Sequence, residues 1–346
     1  MKDPVNERKI QHIRIIDADR DVDRRMYYFD ALRLRHRALP ELNLEEVDTT
    51  TEFLGKRLSF PLLISSMTGG DHDLVRTINR NLAVAAETAG VAMGVGSQRV
   101  MFGSPEARRS FMIREHAPSA LLFSNIGAVQ LNHGFTVDMC REAVEVLDAD
   151  GLYLHLNPLQ EAVQPEGDTD FGGLSARIIH LASSLEVPVI LKEVGAGISR
   201  EDAALFRGTP VRIIDVAGSG GTSWSRIENH RSEGTATTEG LGVVFQDWGI
   251  PTPVALRELA PFRDEFKLIA SGGIRSGVDM AKAVILGASL CGLASPFLKP
   301  ATESSDAVLA VIERLRVEFV TAMFLLGARC VDDLQGNESL VLADNT

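Results

Sequence analysis

Short apolar runs recur along the chain, and each of them ends in small or polar residues. The eight runs are Pro61–Met67, Val91–Ser97, Ala120–Ile126, Gly151–Asn157, Pro188–Val194, Arg212–Gly218, Phe266–Ile274 and Gly287–Leu298. Between most of them lie stretches such as Leu74–Ala89 and Val137–Leu147, whose spacing of apolar residues predicts amphipathic helices. Eight buried strands that alternate with helices predict an α/β fold with a single (β/α)8 TIM barrel. A doubly wound open sheet is the alternative, and the number of runs and the glycine-rich ends of the last two favour the barrel.

The same pattern divides the chain into three parts. Residues 1–50 are a charged N-terminal arm, residues 51–336 form the barrel, and residues 337–346 are expected to be a loose C-terminal tail. The longest interval follows the sixth run, where 54 residues separate Arg212 from Phe266. It is glycine-rich from Gly218 to Trp224 and polar through Ser225–Thr238. A long loop after a barrel strand predicts an active-site lid or a disordered segment.

The fourth run alternates between leucines and other residues, in the order Leu152, Tyr153, Leu154, His155, Leu156 and Asn157. Because successive strand residues point to opposite faces, the leucines suit the helix layer and the other three face the barrel interior. His155 and Asn157 then lie near the C-terminal mouth, where barrel enzymes have their active sites. A lone histidine would more often be a satisfied core residue. A His and an Asn on one face, followed by Gln160 and Glu161, indicate a functional site instead.

The ends of three later runs also contain residues that could bind a ligand. The fifth run ends at Lys192, and a buried lysine is costly unless it is paired or contacts an anion. The adjacent Glu193 is one candidate partner, but neighbouring strand residues point to opposite faces, so we expect Lys192 inside the mouth. The seventh and eighth runs end in Ala270–Gly277 and Gly292–Phe297, and these two loops of a TIM barrel commonly bind phosphate. Together they predict a phosphorylated ligand or cofactor.

Composition limits the classes of partner. The 346 residues are 45% hydrophobic and 24% charged, and a formal net charge of −12 disfavours binding to nucleic acid or to anionic membranes. The N-terminus lacks the apolar segment of a secretory signal, and no apolar stretch approaches the ~18 residues of a membrane span. The cysteines are odd in number and far apart, which predicts neither a disulfide framework nor a zinc site and fits a cytoplasmic location. They are Cys140, Cys291 and Cys330.

Ten motifs considered together are far more specific than any one of them. They are Arg8-Lys9-x-x-His12, Met67–Gly70, Gly96–Arg99, Asn125–Gly127, His155–Glu161, Gln164–Asp168, Lys192–Gly195, Gly220–Trp224, Asp247–Thr252 and Ser271–Arg275. This set resembles the type 2 isopentenyl diphosphate isomerases from Arg8 to about Gly336, which is nearly the whole chain. The glycine-rich motifs alone would indicate only a phosphate-binding barrel.

The resemblance implies that FMN lies across the barrel mouth. It implies that the FMN phosphate is held by Gly273, Ile274, Arg275, Ala294 and Ser295. It also implies that the flavin ring contacts Ser66, Met67, Thr68, Ser97, Asn125, Lys192 and Thr222.

The resemblance further implies a diphosphate substrate. By composition alone, the basic cluster near the N-terminus would be a solvated stretch, but the family assigns it to the substrate. The implied substrate-binding residues are Arg8, Lys9, His12, Arg99, His155, Asn157 and Gln160. Gln160 would be the catalytic residue at the reacting end of the substrate, and Glu161 would hold Mg²⁺ on the diphosphate, where one carboxylate is enough.

The implied reaction serves isoprenoid biosynthesis and moves a double bond, converting isopentenyl to dimethylallyl diphosphate without net oxidation. NADPH or another reductant would then be needed only to prime the flavin. Because the sequence shows no obvious acid/base pair of carboxylates, reduced FMN itself is the expected proton donor and acceptor. The family also suggests a homo-oligomer, a tetramer or larger.

Two other functions remain as alternatives. The first is an FMN-dependent barrel oxidoreductase of the 2-hydroxy-acid oxidase or dihydroorotate dehydrogenase kind. Such an enzyme needs a base on a late strand or lid, and the end of the sixth run offers neither His nor Cys, while the long loop contains only His230. The second is a non-catalytic phosphate-binding barrel, which the presence of Gln160 and Glu161 beside His155 disfavours.

Overall fold

Eight parallel strands close into a barrel in the computed structural model, which describes residues 11–16, 18–24, 28–67, 69–70, 72–231 and 240–343. An antiparallel hairpin, β1 (Thr51–Phe53) and β2 (Lys56–Leu58), precedes them. The barrel strands are β3 (Leu62–Ile64), β4 (Ala92–Gly94), β5 (Leu122–Gly127), β6 (Gly151–Leu156), β7 (Val189–Glu193), β8 (Ile213–Asp215), β9 (Lys267–Ser271) and β10 (Ala288–Leu293). Each pairs with the next, and β10 pairs with β3. Each of the eight barrel strands overlaps one of the eight apolar runs, so the predicted (β/α)8 fold is confirmed.

Helices cover the outside of the barrel. They are α1 (Asp73–Ala89), α2 (Pro105–Arg109), α3 (Val137–Leu147), α4 (Pro158–Val163), α5 (Leu174–Ala182), α6 (Arg200–Ala204), α7 (Trp224–Arg231), α8 (Leu241–Val244), α9 (Thr252–Leu259), α10 (Gly277–Ile285), α11 (Ser295–Glu303), α12 (Ser305–Leu326) and α13 (Val331–Leu334). Helix α1 follows His72, whose ring accepts a hydrogen bond from the N–H of Leu74, and it ends before Gly90 in the left-handed conformation. Helices α1 and α3 coincide with the two predicted stretches. In the described part of the chain, no helix is long and apolar enough to cross a membrane.

The alternation along β6 separates two layers of core. Leu152 and Leu154 pack in the outer layer, between strands and helices, whereas Tyr153 belongs to a cluster that fills the barrel interior. This confirms the predicted orientation of the fourth strand. Phe53 and Leu58 of the hairpin belong to the same inner cluster. Because the Phe53 ring also lies 5.5 Å from the ammonium of Lys267, the first residue of β9, the hairpin closes the N-terminal end of the barrel.

The C-terminal tail is not loose over the part that the structure describes. Leu34 of the N-terminal arm pairs with Val341 in an antiparallel bridge, and the N–H of Leu342 donates to the carbonyl of Arg33 at 2.8 Å. Leu34 and Val341 also pack against the outer core. Backbone pairing and apolar contact therefore hold Val341 and Leu342 to the arm.

The long interval after β8 is more structured than a simple loop. It contains α7 and α8 before α9 begins. The arm lies along α7, where Asp19 accepts from Arg226 at 2.6 Å and from the ring of His230 at 2.8 Å. The arm and α7 together form one side of the barrel mouth.

The hairpin generates a stability prediction. Phe53→Ala should destabilise the fold by ~3–5 kcal/mol, because its ring is fully buried against other rings of the inner cluster. The measurement is the urea midpoint of unfolding. Leu39→Ala is the control, since that side chain is 70% exposed and its loss should change the free energy of unfolding by less than ~0.5 kcal/mol. Equal midpoints for the two variants would show that the hairpin does not close the core.

Candidate active site

A cavity of about 300 Å³ opens at the C-terminal ends of the barrel strands, a size typical of ligand sites. Every predicted site residue that the structure describes lines it. These are His12, Ser66, Met67, Ser97, Arg99, Asn125, His155, Asn157, Gln160, Glu161, Lys192, Thr222, Gly273, Ile274, Arg275, Ala294 and Ser295. The remaining three, Arg8, Lys9 and Thr68, lie outside the described residues. The roles of all of them remain predictions.

His155 is held in one orientation at the end of β6. Its Nδ1 lies 2.7 Å from Oδ1 of Asn125, whose Nδ2 in turn donates to the carbonyl of Val95 at 3.0 Å. Since the amide oxygen of Asn125 can only accept, Nδ1 of His155 carries the proton in this pair. The ring packs over Gly127, where a Cβ atom would lie 3.1 Å from Nε2. The Nε2 edge of His155 is thus fixed by its neighbours.

The turn from β6 into α4 brings three polar side chains together. Nδ2 of Asn157 donates to Oε1 of Gln160 at 3.1 Å and to Oε1 of Glu161 at 2.9 Å. Pro158 begins the helix, so residues three and four positions beyond Asn157 return to its side. Oδ1 of Asn157 is buried and has no hydrogen-bond partner among the described residues. A buried oxygen of this kind is costly unless a ligand or an ion completes it.

Glu161 is linked to Arg99 through one residue. Its Oε2 accepts from the backbone N–H of Asp168 at 2.7 Å and from the side chain of Gln164. The Asp168 carboxylate accepts from Arg99 at 2.9 Å and from Gln130 at 3.0 Å. Asp168 therefore connects the predicted metal ligand to a predicted diphosphate ligand. Among the residues that the structure describes, no group of three or more His, Cys, Asp and Glu side chains could bind a metal on its own.

Glu228 of α7 is a site residue that the sequence analysis missed. It is fully buried, and its Oε1 accepts from Gln160 at 2.8 Å and lies 3.1 Å from Nε2 of His12. Arg231 pairs with its other oxygen. Burial alone would raise the pKa of Glu228, but the hydrogen bond from His12 and the charges of His12 and Arg231 outweigh it and lower the pKa to about 2.

Glu228 is only weakly indicated by its sequence context, because it lies in a stretch so polar that it resembles a solvated loop. The spacing of Glu228 and Arg231, three residues apart, is the one local signal that could have suggested a helical pair.

Lys192 points into the mouth, and its partner is not its neighbour in sequence. It donates to Asp215 at 2.9 Å and to Ser271 at 3.2 Å. Glu193 points away, and its Oε2 accepts from four successive backbone N–H groups, those of residues 194–197. Burial raises the pKa of Glu193 to about 7 in spite of these bonds. Asp215 is the second missed residue, although an acidic residue inside the next apolar run was a visible signal.

The loops that follow β8 and β9 pack backbone against backbone. A Cβ atom on Gly273 would lie 2.9 Å from the backbone of Gly220, and Gly273 adopts a φ of 77°, so a side chain is excluded there. Helix α11 begins at Ser295, on the cavity wall. Glycine N–H groups and a helix N-terminus form the kind of site that binds phosphate.

The guanidinium of Arg275, which was predicted to hold the FMN phosphate, contacts protein groups of both loops and of the arm. Its guanidinium donates to the carbonyls of Gly273 at 3.0 Å and Gly220 at 2.8 Å, and to the carboxylate of Asp23 at 2.8 Å. Its backbone N–H donates to Asp279. In this structure Arg275 therefore holds the two loops and the arm together.

Comparison with known proteins agrees with this description. Residues 15–101 and 174–341 match the family model of FMN-dependent dehydrogenases. The flavin-binding domain of baker's yeast flavocytochrome b2 superposes with a TM-score of 0.67 at 19% identity, covering 96% of this chain and 79% of that chain. A mandelate oxidase variant superposes with a TM-score of 0.57 at 18% identity, covering 89% and 87%. The fold and the cavity thus define an enzyme of the FMN-dependent barrel class.

Curated relatives show to which family within this class the chain belongs. Proteins named isopentenyl-diphosphate delta-isomerase are 57% identical in Paracoccus zeaxanthinifaciens, covering 96% of both chains, and 52% identical in Hydrogenovibrio crunogenus, covering 98% of both. The relative in Methanosarcina mazei is 44% identical over 99% of this chain and 93% of its own. The chain belongs to the isopentenyl-diphosphate delta-isomerases of the FMN-dependent type 2, which confirms the resemblance found in its motifs.

The buried carboxylate of Glu228 generates a pH prediction. Its lowered pKa means that the folded state favours the ionised form, so the contribution to stability is present above the unfolded pKa of ~4.3 and is lost as the pH falls toward 2. The shift corresponds to roughly 3 kcal/mol. Glu228→Gln should therefore be less stable than the parent by about this amount at pH 7, with the gap narrowing below pH ~5. Denaturant unfolding across pH measures it.

Glu313→Gln is the control for this experiment, because Glu313 forms an exposed pair with Arg316 on α12, which should contribute less than ~0.5 kcal/mol. A stability difference for Glu228→Gln that does not change between pH 7 and pH 3 would contradict the prediction.

Proposed function

We propose that this protein converts isopentenyl diphosphate to dimethylallyl diphosphate, using FMN in its reduced form and Mg²⁺ on the diphosphate. The observation that carries the proposal is the sequence identity of 57% and 52%, over nearly the whole chain, to relatives named isopentenyl-diphosphate delta-isomerase. NADPH or another reductant would prime the flavin, and the working form would be a homo-oligomer.

The residues present fit FMN. Backbone N–H groups around Gly273 and the N-terminus of α11 at Ser295 would hold the phosphate, while Arg275 keeps the two loops in place. Oγ of Ser66 is buried on the cavity wall and has no hydrogen-bond partner among the described residues, so a ligand atom would satisfy it. Lys192 supplies a cation on the same wall. The chemistry that reduced FMN supplies when bound is donation and acceptance of a proton without net oxidation.

A second group of lining residues fits a diphosphate with its metal ion. His12, Arg99 and His155 line the cavity and, together with Arg8 and Lys9, would supply positive charge in an otherwise acidic chain. Glu161 and the unpartnered Oδ1 of Asn157 are oxygens of the kind that Mg²⁺ accepts beside substrate phosphates. Arg99 is already oriented by Asp168.

Gln160 would position the reacting end of the substrate. Its amide is fixed from both sides, since the NH₂ group donates to Glu228 and the oxygen accepts from Asn157. With a pKa of about 2, Glu228 is ionised at neutral pH and cannot be the resting acid. Its negative charge would instead stabilise the positive charge that develops when an alkene is protonated.

The oxidoreductase alternative finds no support in the geometry. His230 is not on the cavity wall, and its Nε2 lies 2.8 Å from the carboxylate of Asp19. The dehydrogenase family model does not match residues 102–173, and this unmatched segment contains His155, Asn157, Gln160 and Glu161. The chain therefore differs from the dehydrogenases where the proposed isomerase residues lie.

The proposal predicts a redox-neutral reaction. Anaerobic enzyme with FMN, Mg²⁺ and a small amount of reductant should form dimethylallyl diphosphate in large excess over reductant consumed. In deuterated water the product should gain deuterium, because a solvent-exchangeable proton is added. Product analysis by mass spectrometry measures both. Reductant consumption equal to the product formed, or bleaching of oxidised flavin by the substrate, would assign the protein to the oxidoreductases.

The metal site predicts a specific defect. Glu161→Gln should raise the Mg²⁺ concentration needed for half-maximal activity by at least about tenfold, because a neutral amide is a weaker ligand for a hard cation. FMN binding, followed by the visible spectrum, should be unchanged. Glu115→Gln is the control, as that side chain is 77% exposed. The assignment fails if Glu161→Gln and the control have the same Mg²⁺ dependence.

A further inference from the structure

Three side chains meet at the floor of the cavity, where β7, β8 and β9 lie side by side. Lys192 donates to Oδ2 of Asp215 at 2.9 Å and to Oγ of Ser271 at 3.2 Å, and Ser271 donates to Oδ1 of Asp215. Lys192 and Asp215 are direct partners in the strand register. Both carboxylate oxygens of Asp215 are therefore used inside the cluster. Such complete satisfaction is what a buried ionised pair requires.

Only one side of this pair borders the cavity. Lys192 and Ser271 line the wall, while Asp215 lies behind them with no exposed surface. The ring centre of Tyr153 lies 5.7 Å from the lysine ammonium on the interior side. Burial, and after it the charge of Asp215, hold the pKa of Tyr153 well above its usual value, so the phenol stays neutral. Among the described residues in contact with Lys192, Asp215 thus supplies the negative charge.

We infer that Asp215 is a positioning residue that fixes Lys192 and offsets part of its charge, and thereby sets how strongly the cavity stabilises the negative charge of reduced flavin. The inference rests on the proposed placement of FMN at this wall and deepens it. The protein then controls the flavin through a pair of residues rather than through the lysine alone.

The physical reason is the difference between a charge and a dipole. An uncompensated cation in a poorly solvated cavity attracts a nearby anion strongly. A carboxylate 2.9 Å behind the cation cancels part of that attraction, and the cancellation grows with distance from the pair. A moderate, fixed positive field suits a reduced flavin that must hold negative charge and still exchange a proton.

The test is the midpoint reduction potential of bound FMN, measured with a reference dye at pH 6.5 and without substrate. Asp215→Asn should raise the potential, because Lys192 loses its counter-charge. A rise of about 30 mV would mean that reduced flavin binds tenfold more tightly relative to oxidised flavin. Lys192→Met should lower the potential, since it removes the cation and leaves the carboxylate.

Asp150→Asn is the matched control. Asp150 pairs with Lys56 at 2.7 Å, so the same type of pair loses the same charge, but Lys56 belongs to the hairpin that closes the far end of the barrel. The control should leave the potential unchanged. A potential for Asp215→Asn that matches the control, or that falls below the parent, would overturn the inference.

A second comparison covers the case in which Asp215→Asn does not fold with flavin. The double variant Lys192→Met with Asp215→Asn removes both charges, which a protein interior tolerates better than one unpaired charge. Its potential should lie above that of Lys192→Met alone, and equal potentials would contradict the inference. Because no substrate is present, these results are independent of isomerase activity. If the variants show the expected shifts in potential but the parent protein forms no dimethylallyl diphosphate, the proposed reaction alone is refuted. If the protein binds no FMN, both the proposed reaction and this inference are refuted.

Discussion

Burial of charge at the mouth of a closed barrel is the constraint on which this site depends. Barrel closure directs alternate strand residues into an interior where an unpaired charge is costly. Below the mouth, the chain fills this space with apolar and aromatic side chains, closed off by Phe53 of the hairpin. At the mouth it places charges, and the structure pairs them. Lys192 contacts Asp215, Arg99 contacts Asp168, and Glu228 contacts both His12 and Arg231.

This pairing explains how an acidic protein can build a site for anionic ligands. A net charge of −12 repels phosphates at long range, so local cations must be held in place. The carboxylates lie behind the cavity wall, and they orient three basic side chains that line it, Lys192, Arg99 and His12. The helix N-terminus at Ser295 and the glycine loops add positive potential without any net charge. The acidic residues of the mouth are therefore a means of positioning the cations.

The elements that could be predicted from sequence are those set by local periodicity. The eight strands, helices α1 and α3, and the inward direction of Tyr153 follow from spacings of two and of three to four residues. The family resemblance added the site residues, and those that the structure describes do meet in one cavity. Spacing could not reveal Asp215 and Glu228 as site residues, because their significance lies in partners distant in sequence. Glu228 meets Gln160 across 68 positions, and Arg275 meets Asp23 across 252.

The comparison with the dehydrogenase barrels turns on the fourth barrel strand. The parts of the chain that match the dehydrogenase model include Lys192, the late glycine loops and the first strands, which are the parts suited to holding FMN. The unmatched part, residues 102–173, carries the turn from β6 into α4, which brings Asn157, Gln160 and Glu161 to one side. An oxidoreductase needs a base that removes a proton as electrons enter the flavin. Here Gln160 is anchored to the carboxylate of Glu228, and in the proposed function this amide would orient an alkene and the carboxylate would stabilise a cation. In that proposal the same flavin cradle would support a reaction without net electron transfer, because the residues proposed to face the substrate, rather than those proposed to hold the cofactor, differ.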